Sequence, residues 1–253
     1  SRNSPRSIRY QGNTVDLPSI VLSRTGSGTT YFTLALMRQF EQFNVPVIND
    51  STSVALVSDK LLTSQKLSRE NLPMPKTILV NGAVDVELIR KEIGFPCVVK
   101  ATKGSKGKTV HLCETKKAFS SLMELLESIS LKKTMIIQEF IQTAIGVDLR
   151  AWVVGGKTIA VMKRTGPTGD FRANISAGGT GEAYEITPEV DFIARETART
   201  LGLQIAGVDL LFGENGFLVC EANSSPGFDG IDKYCDRDMA REISAFVKLK
   251  LQP

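Results

Sequence analysis

One histidine, four scattered cysteines and no apolar run of membrane length are what the 253-residue chain has to offer in those respects, and each shortage closes off a class of function. A lone histidine, His111, leaves no Ser-His-Asp triad and no two-histidine zinc site. It stands in the alternating run Thr109-Val-His-Leu-Cys113 and reads as a strand position. Cys97, Cys113, Cys220 and Cys235 lie at least 15 residues apart, with no CxxC pair and no zinc spacing. They read as reduced, buried thiols of a cytoplasmic protein. No stretch approaches the roughly 18–20 apolar residues of a membrane span. Trp152 and four tyrosines are scattered without basic–aromatic interleaving, which argues against nucleic acid. A formal charge of +4 suits small anions equally well. Any chemistry must rest on carboxylates, lysines, arginines and backbone.

With 42% hydrophobic and 23% charged residues, the chain can bury a core. Ser1-Arg-Asn-Ser-Pro5 has no initiator methionine and no apolar signal, and reads as the start of a fragment. Residues 1–72 alternate strand and helix: a strand at Ser19–Ser23, a helix at Thr29–Asn44, a short strand near Pro46–Asn49, and a helix from Lys60 to about Arg69 opened by Ser58-Asp59. Residues 73–140 read strand, helix, strand, Gly/Lys loop, strand, helix, strand. Residues 141–253 open with a strand through Asp148–Val154, a Gly155-Gly156 hairpin turn and a strand to Arg164. A Gly-rich loop follows (Thr165–Thr180), then a helix at 188–201, strands at 204–212 and 217–222, and a closing helix near 237–250.

The last two strands carry the strongest signal. A three-residue loop, Glu214-Asn215-Gly216, gives a register that sets Asp209 opposite Glu221, with Asn223 on the same face. A two-residue turn at Asn215-Gly216 would send the two carboxylates to opposite faces. Like charges opposed across strands are destabilising unless a cation joins them. Two carboxylates and a carboxamide suit Mg²⁺ or Mn²⁺, and Mg²⁺ is commonly shared with phosphates.

Three further clusters stand out. Lys100 closes an apolar strand and so calls for an anionic partner, and Lys103-Gly-Ser-Lys-Gly-Lys108 follows it at once. This is not a GxxxxGK[ST] loop. Arg150, Lys163, Arg164 and Arg172 surround the long polar loop that also holds Asp170 and Asn174. Ser224-Ser-Pro-Gly227 follows the carboxylate strand, and Ser23-Arg-Thr-Gly-Ser-Gly28 reads as turn chemistry after an earlier strand.

Lys100, the Gly104–Gly107 loop, Gln138-Glu-Phe-Ile141, Asp148-Leu-Arg150, Gly169-Asp-Phe-Arg-Ala-Asn174, Ala206-Gly-Val-Asp209 and Glu221-Ala-Asn223-Ser-Ser-Pro-Gly227 occur in that order. Together they resemble the ATP-grasp superfamily and, within it, the RimK-type glutamate ligases, over essentially the whole chain. The resemblance implies an α+β fold in which two lobes (73–140 and 141–253) clasp ATP, preceded by a partial Rossmann-like domain (1–72). It implies a ligase that joins a carboxylate to an amine through an acyl phosphate, probing amino-acid or peptide substrates that carry carboxylates. The nucleotide would be held by Lys60, Lys100, Gly104, Ser105, Gly107, Gln138, Glu139, Phe140, Ile141, Asp148, Arg172 and Asn174. Asp209, Glu221 and Asn223 would hold two Mg²⁺ or Mn²⁺ ions, and Arg164 or Arg172 would stabilise the oxyanion. Relatives acting on a ribosomal protein carry an arginine where this chain has Asn174-Ile-Ser-Ala177 before Gly178-Gly179, so a small-molecule acceptor and a protein tail both stay open. Three readings are carried forward: a ligase, a phosphotransferase, and a nucleotide-binding module without catalysis. A homo-oligomer is left open, and no nucleic-acid or membrane partner is expected.

Overall fold

A computed structural model of the chain describes residues 8–26, 29–82, 84–102, 110–128, 134–173, 175 and 178–252. In chain order the N-terminal part holds strands β1 (Ile8–Tyr10), β2 (Asn13–Val15) and β3 (Val21–Leu22), helix α1 (Tyr31–Gln42), strand β4 (Val47–Ile48), and helices α2 (Ser51–Val57) and α3 (Lys60–Arg69). β1 and β2 form a hairpin, and β3 and β4 form a two-stranded parallel sheet. A second unit follows with β5 (Thr77–Val80), α4 (Val86–Glu92), β6 (Cys97–Ala101), β7 (Val110–Cys113), α5 (Lys116–Ser128) and β8 (Met135–Glu139). Its sheet is antiparallel throughout, in the order β5-β8-β6-β7. Phe119 and Ile89 from the helices seal one face with Val99, Ile137 and the two cysteines.

The third unit comprises β9 (Val147–Val154), β10 (Lys157–Thr165), β11 (Thr180–Tyr184), α6 (Pro188–Thr200), β12 (Ile205–Gly213), β13 (Gly216–Asn223), α7 (Asp229–Cys235) and α8 (Met239–Leu251). Its five strands lie in the order β11-β10-β9-β12-β13. The period of two in each strand divides this sheet cleanly. Leu149, Ala151, Val153, Val208, Leu210, Val219 and Ala222 face α6 in the largest core. The opposite face is split. Trp152, Ala160, Met162 and Ile205 pack under α7, α8 and Ile48, while the other end of the same face carries Asp148, Arg150, Arg164, Asp209 and Glu221.

Local signals explain most boundaries. Asp59 caps α3 by accepting from the Leu61 and Leu62 amides, and Thr187 caps α6 ahead of Pro188. Gly155 and Gly156, both at positive φ, make the two-residue turn from β9 to β10. Five elements lack a sequence-level signal. α2 is rich in β-branched residues and is held by its Asp50 cap and buried Val54. α7 is short and anchored by Ile231, which is fully buried. The β1–β2 hairpin and the polar edge strand β11 complete the set, the latter formed by pairing with β10.

The β12–β13 hairpin reaches the expected pairing by a different route. Gly213 pairs with Gly216, so the turn has two residues at its tip, Glu214 and Asn215, not three. Cys220 is then an extra residue between Leu210↔Val219 and Asp209↔Glu221, and this bulge restores the carboxylates to one face.

The N-terminal part is fastened to the large sheet by Asn49, which is 1% exposed. Its Nδ2 donates to the carbonyls of Ile205 (2.7 Å) and Ser224 (2.8 Å), and its Oδ1 accepts from the amides of Gln204 (2.7 Å) and Ile205 (2.9 Å). Asn49→Ala strands these buried backbone groups, so the variant is expected to lose about 3 kcal/mol or more of stability in equilibrium urea denaturation.

Candidate functional site

The charged end of the five-stranded sheet is assembled by strand register. Arg164 on β10 lies opposite Asp148 on β9, Arg150 on β9 opposite Asp209 on β12, and Asp209 opposite Glu221 on β13. Arg164 donates from Nε (2.6 Å) and Nη2 (2.5 Å) to the two oxygens of Asp148, and Nη2 also lies 3.0 Å from Asp209 Oδ2. Arg150 grips Asp209 in the same two-pronged manner, at 2.7 and 2.6 Å. Lys60, the first residue of α3, extends Nζ to Glu221 Oε2 at 2.9 Å. The repulsion expected between the facing carboxylates is thus relieved by Arg150, Arg164 and Lys60.

Burial and charge compete along this row. Burial pushes the Asp148 carboxyl up to about 6 despite Arg164. Burial also opposes ionised Asp209, but Arg150 and Arg164 outweigh it and hold that carboxyl below the usual range. For Arg164, burial alone would lower the pKa; Asp209 and Asp148 reverse the sign and raise it.

A cleft opens beside this row, between α3, the end of β13 and the sheet of the second unit. Lys60, Lys100, Gln138, Cys220 and Glu221 line it. Lys100 is 7% exposed, and its hydrogen bond among the described residues is to the neutral Gln138 Oε1, at 2.7 Å. Gln138 Nε2 in turn donates to Thr77 Oγ1, fixing the amide. Burial lowers the Lys100 pKa, and burial pushes the Cys220 thiol up to about 11, so that thiol stays protonated at neutral pH. Lys60 joins the two sides of the cleft, because its backbone amide also donates to Thr102 O, at 2.9 Å.

The remaining sequence-predicted residues lie around this centre. Glu139 ends β8; its amide donates to Lys76 O and its carboxylate accepts from Lys76 N. Phe140 meets Phe171 edge to face at 6.1 Å, and Ile141 leads into a 3₁₀ turn at Gln142–Ala144. Arg172 is bound to Asp170 through Nε (2.9 Å) and Nη2 (2.8 Å). Its carbonyl is pressed so closely on Gly166 that a Cβ there would collide with it, and hydrogen bonds from both ends of the 166–172 segment hold it against Gly146. Asn223 Nδ2 lies 3.5 Å from Gly207 O. Gly104, Ser105, Gly107 and Asn174 lie outside the described residues.

Asp209, Glu221 and Asn223 are a hard, oxygen-rich donor set of the kind that holds Mg²⁺ together with phosphate and water. Among the described residues, no three His, Cys, Asp or Glu side chains converge as a self-sufficient metal site. Sequence reasoning named Arg150 without its role. Its place on the charged face could be read, since Asp148 and Arg150 are two apart on one strand, but its partner Asp209 is set by the register of β9 with β12.

The chain matches two family models, the RimK-like ATP-grasp domain over residues 57–247 and the RimK PreATP-grasp domain over residues 2–54. It is 40% identical over 245 residues to a "Probable alpha-L-glutamate ligase" of Aeromonas salmonicida, covering 96% of this chain and 82% of that protein. Its structure resembles a RimK domain ATP-grasp protein from Sphaerobacter thermophilus, with a TM-score of 0.71 and 20% identity over 90% of this chain and 81% of that one. It also resembles the ATP-grasp ligase PsnB, solved with a variant of its minimal precursor, Mg and ADP; the TM-score is 0.67 at 22% identity, over 87% of this chain and 68% of that one.

The raised Asp148 carboxyl gives a signed expectation. The folded state retains this proton between the ordinary carboxylate range and about pH 6. The group therefore favours folding most at low pH, and its contribution declines as pH rises through 6. Relative to Asp148→Asn, which mimics the neutral acid, the wild type should lose about 2 kcal/mol of stability between pH 4 and 6.5. Urea denaturation of both proteins across that range measures it.

Proposed function

We propose that this chain, which belongs to the RimK-like ATP-grasp family, joins a carboxylate to the amino group of glutamate or a similar amino acid, coupled to ATP cleavage. One observation carries the reading at the level of residues. Lys100 buries an ammonium at the cleft with only a neutral amide to accept from it among the described residues. Such a cation is stabilised when an anion fills the space before it, and a nucleotide phosphate is an anion that would do so.

In this reading the acid substrate attacks the γ-phosphorus of ATP, giving an acyl phosphate and ADP. The amine then attacks the acyl carbon, forming the amide and releasing orthophosphate. Lys100, with Gly104, Ser105 and Gly107, neutralises and covers the phosphates, and excludes water that would hydrolyse the mixed anhydride. Glu139, Phe140 and Ile141 form the adenine edge, where Glu139 is already steadied by Lys76. Two Mg²⁺ ions, when held by Asp209, Glu221 and Asn223, would supply charge stabilisation on the phosphate oxygens.

The arginines divide the remaining work. Arg164 is 3% exposed and held by two carboxylates, so it fixes where Asp209 points. Arg172, with Asn174, would meet the phosphate side and the oxyanion. Lys60 holds Oε2 of Glu221 alone, so Oε1 would serve as the metal ligand with that contact in place. We further propose that residues 1–72 form a pre-ATP-grasp unit and that lobes 73–140 and 141–253 close on the nucleotide.

The acceptor is an amino acid or a peptide bearing carboxylates. Orthophosphate release should require acid, amine and ATP together, with the amide found by mass spectrometry; transfer of phosphate to a stable product would instead favour a phosphotransferase. Glu221→Gln should lower turnover about 10²–10³-fold while the far-ultraviolet dichroism stays that of the wild type. A wild-type rate in that variant would remove Glu221 from the site.

A further inference from the structure

Arg24 sits in the loop after β3 and points across the molecule. Its Nη2 donates to the carbonyl of Pro226 at 2.6 Å, 202 residues away in sequence. Its guanidinium lies over the Phe228 ring, 5.1 Å from the centroid, which sets the plane of the group. The loop itself is braced. Thr25 and Thr29 share a hydroxyl hydrogen bond of 2.9 Å, and Thr29 Oγ1 donates to Gly26 O at 2.7 Å. Gly26 packs against Ser225 at ordinary contact distance, where a Cβ would rest 3.5 Å from its carbonyl oxygen.

These contacts set Arg24 beside the segment that leaves Asn223. Pro226 is seated on Gly207, where a Cβ would come within 2.7 Å of the proline ring and 3.7 Å of Arg150 Cδ. Gly207 is two residues before Asp209 and pairs with Asn223. Pro226 is only three positions after Asn223, a span of at most about 11 Å. The Arg24 side chain is nonetheless exposed, and among the described residues no carboxylate lies within ion-pairing distance of it. One N–H is committed to Pro226, and the planar fork still has donors to offer a second oxygen-bearing group.

We propose that Arg24 is the anchor for a non-reacting carboxylate of the substrate, clamped between the 23–26 loop and the Ser224–Pro226 segment. The inference rests on the ligase reading and names the group that makes it selective for acidic substrates. The carboxylate belongs either to the incoming amino acid or to the acceptor, and the two are separable by experiment.

Binding is measured calorimetrically on the full chain with a non-hydrolysable ATP analogue present. The ligands are glutamate, glutamate α-amide, glutamine and an N-acetylated glutamyl dipeptide. Wild type should prefer one free acid over its amide, and Arg24→Gln, which keeps a donor for Pro226 O, should weaken that acid about 10–100-fold and erase the preference. Arg24→Lys should recover part of it, and affinity for the ATP analogue should stay within about twofold in both variants. Loss confined to glutamate assigns the incoming amino acid; loss confined to the dipeptide assigns the acceptor. A merely structural role would weaken acids and amides alike, and that result overturns the proposal. So does unchanged discrimination in Arg24→Gln, or no binding of any carboxylate by the wild type. Carboxylate binding that depends on Arg24, with no amide formed from ATP, would instead overturn the ligase reading and leave the anchor standing.

Discussion

Asp209 held between two guanidiniums is the interaction on which the rest of this site depends. Arg150 reaches it from the neighbouring strand and Arg164 from the strand beyond, and Asp148 balances Arg164 on its far side. A buried carboxylate is costly alone and tolerable only with close, well-directed partners. Because these partners are supplied by strand register, a slip in the sheet would leave buried charges unmatched. The same ion pairs therefore guard the pairing of β9, β10 and β12 and fix the direction in which Asp209 presents its oxygens. Glu221, by contrast, is partly exposed and tied to the longer, more adaptable Lys60. One carboxylate is rigidly set, and its neighbour is free to exchange partners.

The N-terminal part is small, with a parallel sheet of only two residues per strand, yet it contacts the site at a sensitive place. Asn49 holds the carbonyl of Ser224 and Arg24 holds that of Pro226. Both lie on the segment that leaves Asn223, so the backbone there is positioned from outside its own lobe. Ile48 adds an apolar contact by entering the Trp152 cluster.

Much of this was legible in the sequence, because period-two and helical patterns are local. β9, β10, β12 and β13 follow from alternation and from glycine turns, and α3 and α6 from their Asp59 and Thr187 caps. The facing of Asp209 and Glu221 was reached through a three-residue loop that the chain does not use. A two-residue tip and the bulge at Cys220 give the same outcome, and sequence alone could not tell these routes apart. The cationic partners were hidden for a different reason. Arg150 and Asp209 are 59 residues apart, and their meeting depends on the register of β9 with β12. Arg24 looked like ordinary turn chemistry because what gives it meaning is a carbonyl on the far side of the chain. α2 and α7 were missed because they are short and held by tertiary contacts more than by propensity.

The extra residue at Cys220 has a bearing on how this hairpin can vary. It acts as a half-step phase shift placed between the tip and the chemistry, so everything beyond it is out of step with everything before it. A residue added at the tip can be absorbed by a longer loop and leaves the pairing beyond it alone. Removing Cys220 cannot be absorbed in this way: it would exchange the oily and the charged sides of β13 past that point and turn Glu221 away from Asp209.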